Sequence, residues 1–158
     1  MVTRGWCLLL ALSLAGCGGY GEIWYPKRLA APVPKVSIEV VPAPDVVMSA
    51  DRLSQLRTVF TSELEGHVPI VSPGDPDAFA VRGVIEVYDP GVRAVRAFFG
   101  VLRYGTGYFR SAWMVKDPAG VLVADCRISG SIRMGWWGGS YTEVLTRAAE
   151  RLRQCLRR

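Results

Sequence analysis

Tyr108-Phe109-Arg110-Ser111-Ala112-Trp113-Met114-Val115-Lys116, then Asp117-Pro118-Ala119-Gly120, then Val121-Leu122-Val123-Ala124-Asp125-Cys126-Arg127-Ile128-Ser129, is the stretch whose reading decides the fold. Two runs rich in aromatic and β-branched residues flank a four-residue turn of Asp, Pro, Ala and Gly, a pattern that predicts a β-hairpin. Side chains on a strand alternate faces, so Leu122, Ala124, Cys126 and Ile128 share one apolar side. That side needs a cover.

The cover comes from both directions along the chain. Downstream, residues 130–139 read as a loop ending in Trp136-Trp137, and Ser140-Tyr141-Thr142-Glu143 has the Ser-x-x-Glu pattern of a helix capping box. The helix it opens carries Val144, Leu145, Ala148, Ala149, Leu152, Cys155 and Leu156 along one stripe. Arg147, Arg151, Arg153, Arg157 and Arg158 lie on the other side, the later ones suiting the negative end of a helix dipole. Upstream, residues 79–88 read as a strand, and 92–99 as a helical turn or two or a bent loop. Gly100, Gly105 and Gly107 then interrupt a stretch rich in Phe and Tyr. Residues 36–41 alternate apolar and polar, a strand signal closed by Pro42 and Pro44. Ser49 then offers an N-cap to a helix with Leu53, Leu56, Phe60 and Leu64 on one face, stopped at Gly66. A short strand is possible at residues 68–71, and Pro73-Gly74-Asp75-Pro76-Asp77 is turn chemistry. The order is strand, helix, strands, helix without a repeating βαβ unit. It predicts an α+β fold: a small, mainly antiparallel sheet with two helices packed on one face.

The N-terminus carries an address. Arg4 precedes the apolar run Trp6-Cys7-Leu8-Leu9-Leu10-Ala11-Leu12-Ser13, and Leu14-Ala15-Gly16-Cys17 closes it, the three parts of a secretory signal. The run is about half the roughly 20 apolar residues that a spanning helix needs. Leu-Ala-Gly-Cys also resembles the lipobox of bacterial lipoproteins. The resemblance implies that Cys17 becomes the first residue of the mature protein and its lipid attachment point, and two or more acyl chains hold a protein stably at a bilayer. The expected organisation is a signal peptide at 1–16, a lipidated flexible tether at 17–34 and a single α+β periplasmic domain at 35–158. Gly18 stands where the family's inner-membrane retention signal has Asp, which favours the outer membrane. Trp24 and Tyr25 in the tether suit either the membrane interface or the edge of the domain.

Residues 91–156 resemble a family of bacterial lipoproteins named only as domain of unknown function 4410. The shared features are Arg93-x-x-Arg96-x-x-x-Gly100, Gly105-x-Gly107, Asp117-x-x-Gly120, Ser129-Gly130, Gly138-Gly139-Ser140 and an Ala-rich closing helix. The family runs Gly-x-Gly-x-Gly unbroken, whereas four residues separate Gly100 from Gly105 here. The resemblance implies an envelope lipoprotein with a compact α+β domain and no catalytic activity.

The 158 residues carry a formal charge of +5, half are apolar and the mean hydropathy is +0.21. The cations are almost all Arg and scattered, so nucleic acid is not the expected partner. Anionic head groups, an acidic partner or a plain solvated surface all suit the excess. His67 is the single histidine and follows Gly66. No Gly-x-Ser-x-Gly elbow accompanies it, and no ligands gather near it in sequence, so a turn residue is expected and neither a triad nor a metal site. Gly105-Thr106-Gly107 has Arg110 where a third glycine belongs, and Gly135-Trp136-Trp137-Gly138-Gly139-Ser140 lacks the lysine of a phosphate loop. Glu63 and Glu65 are two apart on a helix and diverge. No cofactor is expected.

Two features remain. Cys126 and Cys155 both face the expected core in an oxidising compartment, as a disulfide worth about 3 kcal/mol or as two buried thiols. Adjacent aromatics on a strand point to opposite sides, which makes Phe99, Tyr108, Trp136 and Trp137 the candidate partner surface. The function expected is a non-enzymatic accessory or assembly factor that binds an envelope protein partner. The alternative, a carrier or sensor of a lipid or small amphiphile, requires a lined cavity between sheet and helices.

Overall fold

The computed structural model describes residues 19–27, 29–91, 107–132 and 141–157. The elements are β1 (Gly19–Lys27), β2 (Val36–Pro42), α1 (Ala50–Glu65), β3 (Phe79–Asp89), β4 (Gly107–Lys116), β5 (Leu122–Ile132) and α2 (Tyr141–Leu156). The strands form one sheet in the order β1-β5-β4-β3-β2. All neighbours are antiparallel except β2 and β3, which run parallel because α1 carries the chain back between them. The α+β architecture expected from the residue pattern is the one observed, with both helices on one face.

Local chemistry explains the best-defined pieces. At the start of α1 the Ser49 hydroxyl accepts from the Arg52 amide at 3.4 Å, satisfying one of the donors that a helix start leaves open. Gly66 ends the helix at φ −74°, so its left-handed freedom is not used; Pro69 lies just beyond, where the helix could not continue. In the hairpin, Asp117 holds the turn from both ends. Its carbonyl accepts from the Gly120 amide at 2.8 Å, its side chain accepts from the Val121 amide at 2.9 Å, and Gly120 takes φ +81°.

The layer between sheet and helices is filled. Odd-numbered residues of β4 (Phe109, Ser111, Trp113, Val115) and even-numbered ones of β5 (Ala124, Cys126, Ile128) are fully buried. They meet Leu56, Phe60 and Leu64 of α1 and the apolar stripe of α2. At the centre, the Trp113 ring lies 4.7 Å from Phe60 between centroids, and its Nε1 donates to Ser111 Oγ at 2.8 Å. That bond answers the buried indole N–H and the buried hydroxyl together. Across the strand pair, Trp113 sits opposite Gly83, whose missing side chain makes room for the ring.

The first departure from expectation is β1. Residues 19–27 belong to the stretch expected as a flexible tether, yet they pair with β5 from Gly19↔Ile132 to Lys27↔Asp125. Glycine and proline hide the strand from a hydrophobicity pattern. An edge strand is held by main-chain bonds, and its Pro26 falls at the register shift between Trp24 and Lys27, where a missing N–H does least harm. The second departure is small. The strand expected at 68–71 is a single bridge, Val36↔Ile70. At the opposite edge, Arg57 reaches from α1 and donates to the Val40 carbonyl at 3.2 and 3.1 Å, covering a group that would otherwise invite strand pairing.

Candidate functional site

Of the residues expected at a partner surface, Tyr108 alone is described. It stands on the sheet face away from the helices, 38% exposed, opposite Asp89 and Ser131, while its neighbour Phe109 is buried among the helices. Phe99, Trp136, Trp137 and the expected lipid attachment residue Cys17 lie outside the described residues, as do residues 92–99 and Ser140 of the expected capping box. Tyr108 sits at one end of the sheet. There Gly107 and Gly19 both pair with Ile132, and β3 ends at Asp89.

Cys126 and Cys155 are joined by a disulfide, with Cα atoms 6.5 Å apart. The bond ties β5 to α2, and both residues are buried. Neither cysteine is therefore available as a nucleophile or a metal ligand. Among the described residues no three His, Cys, Asp or Glu side chains gather as metal ligands would. No described helix is long and apolar enough to cross a membrane.

The uncovered face of the sheet carries ion pairs across its strands. Arg82 meets Glu39 at 3.5 Å and Arg110 meets Glu86 at 2.9 Å, all partly exposed, so they contribute little to stability and keep the face wet. A third cluster pins the loop before β3. Lys35 Nζ lies 2.7 Å from Asp75 and 3.7 Å from Asp77. The Lys35 hydrogen bond, followed by the Asp77 backbone amide, holds the Asp75 carboxyl below its ordinary range. The same bond raises Lys35.

Tyr141 at the start of α2 packs edge-on against Tyr88 at 5.2 Å. Its hydroxyl is buried with no hydrogen-bond partner among the described groups, and burial pushes the phenol well above its usual range. Among the described residues this hydroxyl stands as a packing cost.

The ends of the two helices bring together a polar constellation whose members are far apart in the sequence. His67, exposed as expected of a turn residue, lies between two arginines at the end of α2. Arg153 Nη1 contacts His67 Nε2, and Arg157 Nη2 is 3.5 Å from His67 Nδ1. Glu63 pairs with Arg153 at 3.3 Å. Beside them runs a surface groove of about 300 Å³ walled by Val33, Leu64, Val68 and Leu156. The only signal in the sequence was the i,i+4 spacing of Arg153 and Arg157, which places both on one side of a helix.

No family model matches the chain, and no curated protein matches it. Solved structures do. A point variant of the PelC dodecamer from Paraburkholderia phytofirmans superposes with a TM-score of 0.56 at 15% identity, covering 89% of this chain and 99% of that one. The PelC dodecamer in a second crystal form gives 0.55 at 17%, covering 88% and 99%. At these identities the likeness is one of fold, and it extends over most of the chain.

Proposed function

We propose that this chain is a lipid-anchored outer-membrane protein whose periplasmic domain works by binding other proteins, a second copy of itself first among them, and catalyses no reaction. The observation that carries the reading is the Leu14-Ala15-Gly16-Cys17 sequence placed two residues before β1. With Cys17 acylated, the anchor lies within about 7 Å of chain reach from Gly19. The lipid then holds the sheet directly, at the end where Gly19 and Gly107 pair with Ile132. The segments that contain Phe99 and Trp136-Trp137 leave and rejoin described strands and α2 at this same end, beside Tyr108. Tyr108, the described aromatic at that end, suits a membrane interface or a protein seated on it.

Self-association is supported by the fold likeness to a protein that forms dodecamers. The carrier reading loses ground because, among the described residues, the layer between sheet and helices is occupied by Trp113, Phe60 and Phe109. The decisive experiment is intact-mass analysis of the protein from native membranes, together with light scattering in mild detergent. An acylated N-terminal Cys17 and a mass of several subunits are expected, with Cys17→Ala released into the soluble fraction. An unmodified Cys17 or an uncut leader refutes the anchor, and a strict monomer at high concentration refutes the self-association.

A further inference from the structure

We infer that the groove at the converging ends of α1 and α2 binds a phosphate-headed amphiphile, with the head between His67 and Arg157 and a short apolar tail along Val33, Leu64, Val68 and Leu156. The argument begins with the imidazole. A neutral ring has one nitrogen that accepts and one that donates. The closer of the two arginine contacts is Arg153 on Nε2, and a neutral ring that accepts there turns its N–H at Nδ1 toward Arg157. Arg157 Nη2, 3.5 Å from that nitrogen, is also a donor. In that tautomer two N–H groups converge on one spot, with no acceptor between them among the described residues.

Charge points the same way. Glu63 answers Arg153 at 3.3 Å, but Arg157 has no carboxylate at ion-pair distance among the described residues. An anionic oxygen placed beside Nδ1–H and Arg157 accepts a hydrogen bond from each. A guanidinium binds phosphate through parallel hydrogen bonds, so this chemistry suits a phosphate monoester. The remaining wall is carbon, and the groove of about 300 Å³ has room for a head and a few methylene groups. A free phosphate would leave that wall in water, which is why an amphiphile is the better ligand.

The test uses the full-length mature protein in neutral detergent with ¹⁵N-histidine. His67 is the only histidine, so a single pair of ring nitrogens reports the site. Hexyl phosphate is expected to shift both nitrogens saturably, and inorganic phosphate to do so about tenfold more weakly, for the loss of two or so buried methylenes. Hexanol should shift neither. Arg157→Gln should abolish the response, while Lys116→Gln, which removes the same charge elsewhere, should preserve it; circular dichroism verifies that both remain folded. Absence of a saturable shift with either phosphate overturns the site, as does an undiminished response in Arg157→Gln. Equal affinity for the two phosphates assigns the groove to free phosphate and overturns the amphiphile. The comparison of ligands on the unmodified protein stands whatever the variants do.

Discussion

Gly83→Ala should destabilise the protein although it adds a single methyl group. A Cβ at that position would lie 2.5 Å from Trp113 Cζ3, 2.6 Å from Cη2 and 2.8 Å from Cε3. Carbon atoms in contact prefer about 3.5–4.0 Å, so roughly 1 Å must be found. The indole cannot supply it. It is fully buried, Phe60 stands 4.7 Å away between ring centroids, and its N–H is tied to Ser111. Overpacking of this kind costs about 1–3 kcal/mol. The unfolded chain gives back about 0.4–1 kcal/mol because alanine has less freedom to lose than glycine. The net expectation is a loss of about 1–2 kcal/mol. Equilibrium urea unfolding of the oxidised protein, followed by circular dichroism, measures it. A second background isolates the cause. Trp113→Phe removes the ring edge that meets the new methyl, so Gly83→Ala should cost under about 0.5 kcal/mol there, a coupling of about 1 kcal/mol in the double-mutant cycle. A neutral Gly83→Ala in the unaltered protein, or equal costs in both backgrounds, refutes the reasoning.

Replacing Cys126 and Cys155 together by alanine opens a loop with a sequence separation of 29 and should lower stability by about 3–4 kcal/mol, read as a drop in urea midpoint that reduction of the unaltered protein reproduces. Tyr141→Phe deletes a buried hydroxyl that has no partner among the described groups, so thermal unfolding should occur at the same temperature or slightly higher, and a clear decrease would reveal a bond to that oxygen. The Lys35–Asp75 contact gives stability a defined pH dependence. Asp75 is held below its unfolded value, so its contribution is present above the ordinary carboxylate range and disappears as pH falls through the depressed one. Lys35 is raised, so its share is present at neutral pH and is lost only as strongly alkaline pH passes its elevated value. Asp75→Asn should therefore narrow the stability gap between pH 7 and pH 3 in urea titrations, and an identical gap would remove the linkage.

The elements that were legible in the sequence share one property: their determinants are local. Ser49 and the Leu53, Leu56, Phe60, Leu64 stripe specify α1 within 16 residues, and Asp117 closes the hairpin onto Gly120 and Val121 three and four positions away. The apolar faces of β4 and β5 also pin their register, because a one-residue slip would turn them to solvent. What the sequence concealed is made of contacts between distant residues that leave no periodic trace. β1 is held by backbone bonds to β5 more than a hundred residues later at its start, and such bonds do not depend on which side chains are present. The parallel pairing of β2 with β3 is fixed by the path of α1, not by any motif in either strand.

The His67 constellation is the extreme case, because its parts lie at the ends of two helices that only tertiary packing brings together. His67 and Arg153 are 86 positions apart. Each looks unremarkable alone: a turn histidine, and an arginine where a helix dipole welcomes one. Dipole stabilisation accounts for a cation near the last turn of α2, but it requires neither two arginines on one face nor a histidine between them. Nor does it aim a guanidinium: Arg157, one residue past the helix end, is exposed and still has its Nη2 3.5 Å from Nδ1. Two donors directed at one point beside an apolar wall present a place for a negative oxygen. A negative oxygen at that point would answer both donors, which is why the groove, and not the filled layer between sheet and helices, is the place to test for a ligand.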